Sequence, residues 1–217
     1  MELPGTLITF EGIDGSGKST QATMLFHRLL KEEYKALLVR EPGGTAISEK
    51  IRDVLLDIRH EQMAPVTELL LYAASRAQLV EEKIKPNLEE GVIVICDRYS
   101  DSTLAYQGYG RGLNKGFIRN LNSLATQELI PDITYIIDVE LDIADQRTDS
   151  DKSGDRLENE HQVFKRRVRN GYKEIANGAP GRIIMISGEK PVQELHEEIW
   201  QQTISKLQSN GKHKSYE

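Results

Sequence analysis

Apolar and polar positions run along the chain in two rhythms. Short runs rich in β-branched residues recur at "TLITF" (Thr6 to Phe10), "ALLV" (Ala36 to Val39), "VIVIC" (Val92 to Cys96), "ITYIID" (Ile133 to Asp138) and "IIMI" (Ile183 to Ile186). They have no clear polar face and are too short to make independent helices, the pattern of strands buried on both sides. Between them, apolar residues return every three or four positions. Ala22, Leu25, Phe26, Leu29 and Leu30 share one helical face, and Ile47, Ile51, Val54, Leu55 and Ile58 share another. Strands alternating with helices predict an α/β fold: a parallel sheet with right-handed crossovers and helices on both faces.

The longest helical stretch starts near Pro65 and carries Leu69, Leu70, Ala73, Ala77, Val80 and Ile84 before Pro86, where a kink or split is expected. From Arg147 to Glu160 the sequence "RTDSDKSGDRLENE" is nearly devoid of apolar residues, as in a solvent-facing flap. Residues 211–217 read as a frayed polar tail. With no internal repeat and no linker, residues 1–210 are expected to form a single domain.

The 217 residues are enough for one domain with a sizeable core. A formal net charge of -6 argues against a broad basic face for nucleic acid, while leaving room for a local anion site. No apolar run approaches the roughly 20 residues that span a bilayer. The single cysteine, Cys96, cannot form an internal disulfide, and no secretory or transit segment is read before the first strand. A cytoplasmic protein without membrane or nucleic-acid partners is therefore expected.

The chemistry begins at "EGIDGSGKST", Glu11 to Thr20. Gly12, Gly17, Lys18 and Ser19 fit G-x-x-x-x-G-K-[ST], between a predicted strand and a predicted helix, the context that a phosphate-binding loop requires. Glycines let backbone N–H groups turn inward around phosphate oxygens, and the helix N-terminus adds favourable partial charge. Lys18 can reach the β- and γ-phosphates and Ser19 can ligate Mg²⁺. The nucleotide phosphates are thus expected along Gly12, Ile13, Asp14, Gly15, Ser16, Gly17, Lys18, Ser19 and Thr20. The spacing does not suit a dinucleotide fold, and "NKGF" at Asn114 to Phe117 lacks the aspartate of a guanine-binding N-K-x-D. Asp97 ends the run "VIVICDRY" and is followed by Arg98, where many ATPases have a glutamate that positions water. An arginine there suits a second anion, so a kinase acting on a phosphorylated acceptor is the leading reading. A non-catalytic nucleotide switch is the contrasting one.

From "FEGIDGSGKST" through "REPGGT", "YAASR", "DRYSDSTLAYQGYGRG" and "PDITYIIDV" to "DRLE", the chain resembles the bacterial-type thymidylate kinase family. Members of this family convert dTMP to dTDP with ATP, for dTTP synthesis. The order and spacing of the segments carry the resemblance more than any one of them. It implies a five-stranded parallel P-loop NTPase sheet, a mobile lid at about residues 147–160, Mg²⁺ dependence and a homodimer.

By matching position, Arg98 and Arg52 would hold the acceptor phosphate, for which the planar fork of arginine is suited. Glu41 would orient one of them. Tyr72 would stack on thymine and Arg76, one helical turn later, would contact a base carbonyl. Thr103 and Gln107 would bond the base edge, and Tyr106 would crowd the place of a 2′-hydroxyl. From the residues alone, Arg52 reads more readily as a solvated helix-face charge and Tyr72 as a core aromatic, while Glu41 could equally be a surface carboxylate. The resemblance also gives Asp14 the sugar 3′-hydroxyl and an acceptor-site arginine, against a plain turn-stabilising role. Mg²⁺ would be held by Ser19 and, through water, Asp97.

The acceptor monophosphate has a second pKa near about 6 and is largely dianionic at neutral pH, so no general base is required. Positioning and cation clamps supply the catalysis, which points to Lys18, Arg98, Asp14 and a lid cation. Gly15 stands where one class of the family has arginine. Arg156 of "DRLE", helped by Arg147 and Lys152, is therefore expected to supply the transition-state charge. An acceptor such as dUMP or dCMP is the nearest competing reading.

Overall fold

All five apolar runs form strands: β1 (Thr6–Glu11), β2 (Ala36–Arg40), β3 (Ile93–Asp97), β4 (Ile133–Asp138) and β5 (Ile183–Ser187). The computed structural model describes residues 3–148, 156, 157 and 160–209. Lys152 and the tail beyond residue 209 lie outside the described residues. The strands make one parallel sheet in the order β2-β3-β1-β4-β5. β1 is central and buried along its whole length, whereas the edge strands β2 and β5 are only partly buried. Their carboxyl ends point to one side. Because the chain leaves β1 toward β2 on one flank and later crosses to β4 on the other, a crevice opens above β1 and β3.

Two helices close the first layer. α1 (Lys18–Lys31) buries Ala22, Leu25 and Leu29 against β1, and α9 (Val192–Ser209) adds Leu195, Ile199 and Trp200 to the same core. On the other face lie α3 (Pro65–Leu79), α4 (Lys85–Glu89), α6 (Lys115–Thr126) and α8 (Gln162–Asn177). The helical stretch before Pro86 does split. Proline has no N–H and its ring crowds the preceding turn, and the helix widens at Val80–Ile84 into a π segment before α4. The short α5 (Ser100–Thr103) continues into a second π segment, Leu104–Gly110, packed on α8. α7 (Leu141–Thr148) leads into the predicted lid.

α2 (Ala46–Leu56) departs from its pattern. Of the expected face only Leu55 is fully buried, while Ile47 and Val54 are exposed, and Ile58 lies beyond the helix in a 3-10 turn, also exposed. α2 packs sideways on α3 through Ser48 and Leu55 instead of lying on the sheet, so its apolar stripe faces outward. Leu70 on α3 is exposed as well, with Val66 on α3 and Phe117 and Leu124 on α6. Among the described residues, no helix is long and apolar enough to cross a membrane.

Candidate active site

The loop from β1 to α1 is shaped by its glycines. Gly17 caps α1 at φ 92°, and Gly15 has φ 75°, a left-handed conformation that costs side-chain-bearing residues about 1 kcal/mol or more. A Cβ at Gly15 would sit 2.3 Å from the Ala144 carbonyl oxygen on α7. Position 15 therefore has no room for an arginine, and a cation for the transferring phosphate must come from another segment. Lys18 is almost completely buried, with Nζ 3.2 Å from both the Ile13 carbonyl oxygen and Asp14 Oδ1. Both bonds are long for a charged donor, so the ammonium can exchange them for a phosphate oxygen.

Asp14 projects away from the loop interior. Its Oδ1 accepts from Arg98 Nη2 at 2.5 Å as well as from Lys18, and its Oδ2 accepts from the Tyr106 hydroxyl at 3.2 Å. Burial opposes the charged form, but Arg98 and Lys18 outweigh it and hold the carboxyl well below the usual range. Arg98 has φ 69°, left-handed for a residue with a side chain, and this conformation turns its guanidinium back over the loop. There Nη1 donates to the Gly12 carbonyl at 2.9 Å, and the Ser102 and Tyr172 hydroxyls lie at 3.2 and 3.3 Å. The Tyr106 ring lies beneath the same guanidinium, 5.1 Å from centroid to Cζ.

Above this junction is a cavity of about 220 Å³. Its wall includes Lys18, Ser19 and Asp97 on the loop side, with Arg98 and Asp14 at the centre. Glu41, Arg52, Tyr72, Thr103, Tyr106 and Gln107 line the rest of it, so residues far apart in sequence are brought to one cavity. Arg52 Nη1 donates to the Pro42 carbonyl at 2.9 Å. Tyr72 is half-buried and shows part of its ring to the cavity. Leu157 and Arg40, which the motifs did not single out, also line it. Asp97 Oδ1 is buried without a hydrogen-bond partner and shares the wall with the Ser19 hydroxyl. An unengaged carboxylate oxygen beside a hydroxyl fits a hard, oxygen-seeking cation such as Mg²⁺.

Two of the expected residues lie away from the cavity wall. Arg76 is fully buried and absent from the cavity wall. Nε and Nη2 reach Glu41 Oε2 at 2.8 and 2.7 Å, Nη1 donates to Thr103 Oγ1 and Asn122 Oδ1, and Nη2 also donates to the Tyr99 carbonyl. Four of the five N–H donors of its guanidinium are thus engaged, with the Glu41 charge beside the fifth. Arg156, expected over the phosphates, is instead buried beside α3, where Nη2 is 2.6 Å from Glu68 and Nε donates to the Leu55 carbonyl at 3.0 Å. An arginine in the end of a polar flap finds a buried carboxylate there, which sequence spacing does not foretell. Arg147, by contrast, lies across the loop, donating to the carbonyls of Gly15 at 3.4 Å and Gly188 at 3.0 Å.

Three residues escaped the sequence reading: Ser102 on the wall, and Glu11 and Tyr172 behind it. Glu11, at the end of β1, is fully buried and accepts from the Tyr99 and Ser102 amides, from the Ser102 hydroxyl at 2.5 Å and from Tyr172 at 2.9 Å. Ser102 and Tyr172 also touch Arg98, so Glu11 steadies that arginine through them. Burial, helped by the negative charge of Asp101, pushes Glu11 up to about 7. Their only signal was one carboxylate closing an otherwise apolar run.

A phosphate loop whose lysine shares a carboxylate with a second cation, beside a cavity open to both, defines a P-loop phosphotransferase with a separate acceptor site. A family model for thymidylate kinase matches residues 10–199. The thymidylate kinase of Thermoanaerobacter sp. (strain X514) is 47% identical over 197 residues, covering 91% of this chain and 96% of its own. That of Pelobacter propionicus is 46% identical over 215 residues, covering 96% and 98%. The crystal structure of thymidylate kinase from Ehrlichia chaffeensis matches with a TM-score of 0.75 at 38% identity, over 92% of this chain and 98% of that one. The chain belongs to the thymidylate kinase family, and is a phosphotransferase that makes dTDP from dTMP and ATP.

Proposed function

We propose that dTMP lies in the cavity with its phosphate between Arg98 and Arg52, its 3′-hydroxyl on Asp14, and its base against Tyr72 and the Thr103–Gln107 wall. ATP lays its phosphates along Gly12 to Thr20. The observation that carries this reading is Asp14, whose single carboxylate receives both Lys18 and Arg98. It keeps the donor-side and acceptor-side cations within one side chain of each other without a phosphate present, so two polyanions can be drawn into line. As phosphate arrives, Lys18 exchanges its long bonds for the donor phosphate, and Arg98 shares its fork between Asp14 and the acceptor. The dianionic acceptor attacks directly, and no side chain needs to take a proton. Ser19 and Asp97 would hold Mg²⁺, Asp97 through water, and the ion when bound would neutralise charge on the β- and γ-oxygens. Arg147, already lying on the loop, is better placed than Arg156 to meet the nucleotide.

An ADP-release assay over nucleoside monophosphates tests this, with dTMP expected as the preferred acceptor. Preference for another monophosphate would overturn the placement of the base. The enzyme is further proposed to work in the cytoplasm, where both substrates are metabolites and a buried free thiol such as Cys96 is at home, and to pair with a second copy. The exposed apolar side chains of α2, α3 and α6 support pairing, since adjacent helices carry them. Analytical ultracentrifugation should give a dimer, and a monomer at assay concentrations would refute it.

A further inference from the structure

We infer that Glu68, which does not line the cavity, selects the base by fixing which end of the Gln107 carboxamide faces it. This rests on the proposed placement of the base at Gln107. A glutamine side chain can present either a carbonyl oxygen or an amino group, and rotation by half a turn exchanges them. At position 107 the choice is made by chemistry. Glu68 is fully buried on α3, and its Oε1 receives Gln107 Nε2 at 2.8 Å. An ionised carboxylate accepts and cannot donate, so only the amino end of Gln107 can turn toward it.

The carboxylate is kept ionised by its other neighbours. Arg111 grips it with Nε on Oε1 at 3.1 Å and Nη2 on Oε2 at 3.0 Å, and Arg156 Nη2 lies 2.6 Å from Oε2. Burial opposes the charge, but the bonds from Arg111 and Gln107 outweigh it and hold the carboxyl below its ordinary value. Arg111 is balanced in turn by Glu160 at 2.6 Å. Two arginines and two glutamates thus leave no net charge behind the wall and no means of reversing the amide.

The consequence is on the cavity side. With Nε2 held by Glu68, Oε1 is the end of the Gln107 carboxamide turned away from that carboxylate, and an amide oxygen only accepts. One turn earlier, Thr103 accepts from Arg76 Nη1 at 2.8 Å, which leaves its hydroxyl proton to donate. A donor next to an acceptor matches a ring carbonyl next to a ring N–H, the edge of a 2,4-dioxopyrimidine. A 4-aminopyrimidine offers a lone pair at N3, opposed to Gln107 Oε1, while the Thr103 hydroxyl, which keeps a second lone pair, can turn to either edge. Glu68 is on this view a positioning residue, acting on the base through Gln107.

Acceptor selectivity tests the assignment. Glu68→Gln keeps the shape but can donate as well as accept, so Gln107 is freed to reverse, while Glu68→Asp stays acceptor-only and loses more packing. In Glu68→Gln the ratio of kcat/KM for dTMP over dCMP should narrow by at least about tenfold, with the KM for ATP unchanged. Glu68→Asp should retain the wild-type ratio even where its melting temperature is lower. In a Gln107→Ala background, where there is no amide to orient, Glu68→Gln should change the ratio no further. A wild-type ratio in Glu68→Gln, or a ratio lost in Glu68→Asp and kept in Glu68→Gln, would overturn the role of Glu68. Should Glu68→Gln not fold, the pair of Glu68→Asp and Gln107→Ala still decides: the ratio must hold in the first and narrow in the second, and any other result overturns it. A wild-type enzyme that does not prefer dTMP would instead overturn the placement of the base.

Discussion

The two sides of the cavity are built on different principles. The donor side is a contiguous turn in which backbone and one lysine do the holding, set by glycines at positive φ and by the start of α1. The acceptor side is assembled from residues on α2, α3, the β3–α5 turn and the π segment, and hardly one of its polar groups stands alone. Glu11 supports Arg98 through Ser102 and Tyr172, Arg76 supports Glu41 and Thr103, and Glu68 supports Gln107. A phosphate has the same charge on every nucleotide and can be held by a repeating backbone device. A particular base needs fixed donors and acceptors, and fixing a long side chain requires a second side chain behind it.

The comparison is broken most sharply at Lys18. Lys18→Ala removes the cationic side chain of the phosphate loop itself, and turnover at saturating substrates should fall by about 10²–10³, the usual cost of losing a transition-state charge contact. The KM for dTMP should stay within a few-fold. Stopped turnover together with lost dTMP binding would mean that the two sides are not separable. Asp14→Ala attacks the joint between them. Losing a charge-assisted bond costs about 1.5 to 3 kcal/mol, so the KM for dTMP should rise about 10- to 100-fold, and that for ATP distinctly less. Equal losses would mean that Asp14 only stabilises the turn.

The same division explains what could be read in advance. All five strands were legible because each is a short run dominated by β-branched and other apolar residues, and the phosphate loop was legible because one stretch contains the whole device. The stripe on α2 was a true helical pattern, but periodicity does not say whether an apolar face meets the sheet or another surface, and Ile47 and Val54 face outward. "YAASR" led to Arg76 without revealing that Glu41, Thr103, Asn122 and Tyr99 hold it. Glu11 in "TLITFE" and Glu68 in "TELLLY" are single carboxylates whose partners lie between 39 and 161 positions away, as in the bonds to Gln107 and Tyr172. No spacing rule connects residues that meet only after the sheet has formed. The burial of Arg156 against Glu68 was hidden for the same reason.

The smallest effect on activity is expected at Glu11, where pH separates support from catalysis. Its carboxyl rises from an ordinary 4.5 to about 7 in the fold, through burial and the neighbouring Asp101, against the pull of Arg98. The folded chain therefore binds this proton more tightly than the unfolded one. The stabilising contribution is complete below about pH 4.5 and is lost as pH rises through about 7. Glu41 is raised in the same direction by burial, so part of the slope belongs to it and survives substitution of Glu11. Glu11→Gln removes the titration while keeping an oxygen for the Tyr99 and Ser102 amides. In urea unfolding between pH 5 and 8 its stability should fall less with pH than that of the wild type, by up to about 3 kcal/mol over that range. Its kcat/KM for dTMP should drop only a few-fold, because Asp14 and the Gly12 carbonyl still hold Arg98. An unchanged pH slope would show that Glu11 is ionised throughout, and its tie to Arg98 would then be that of a permanent anion.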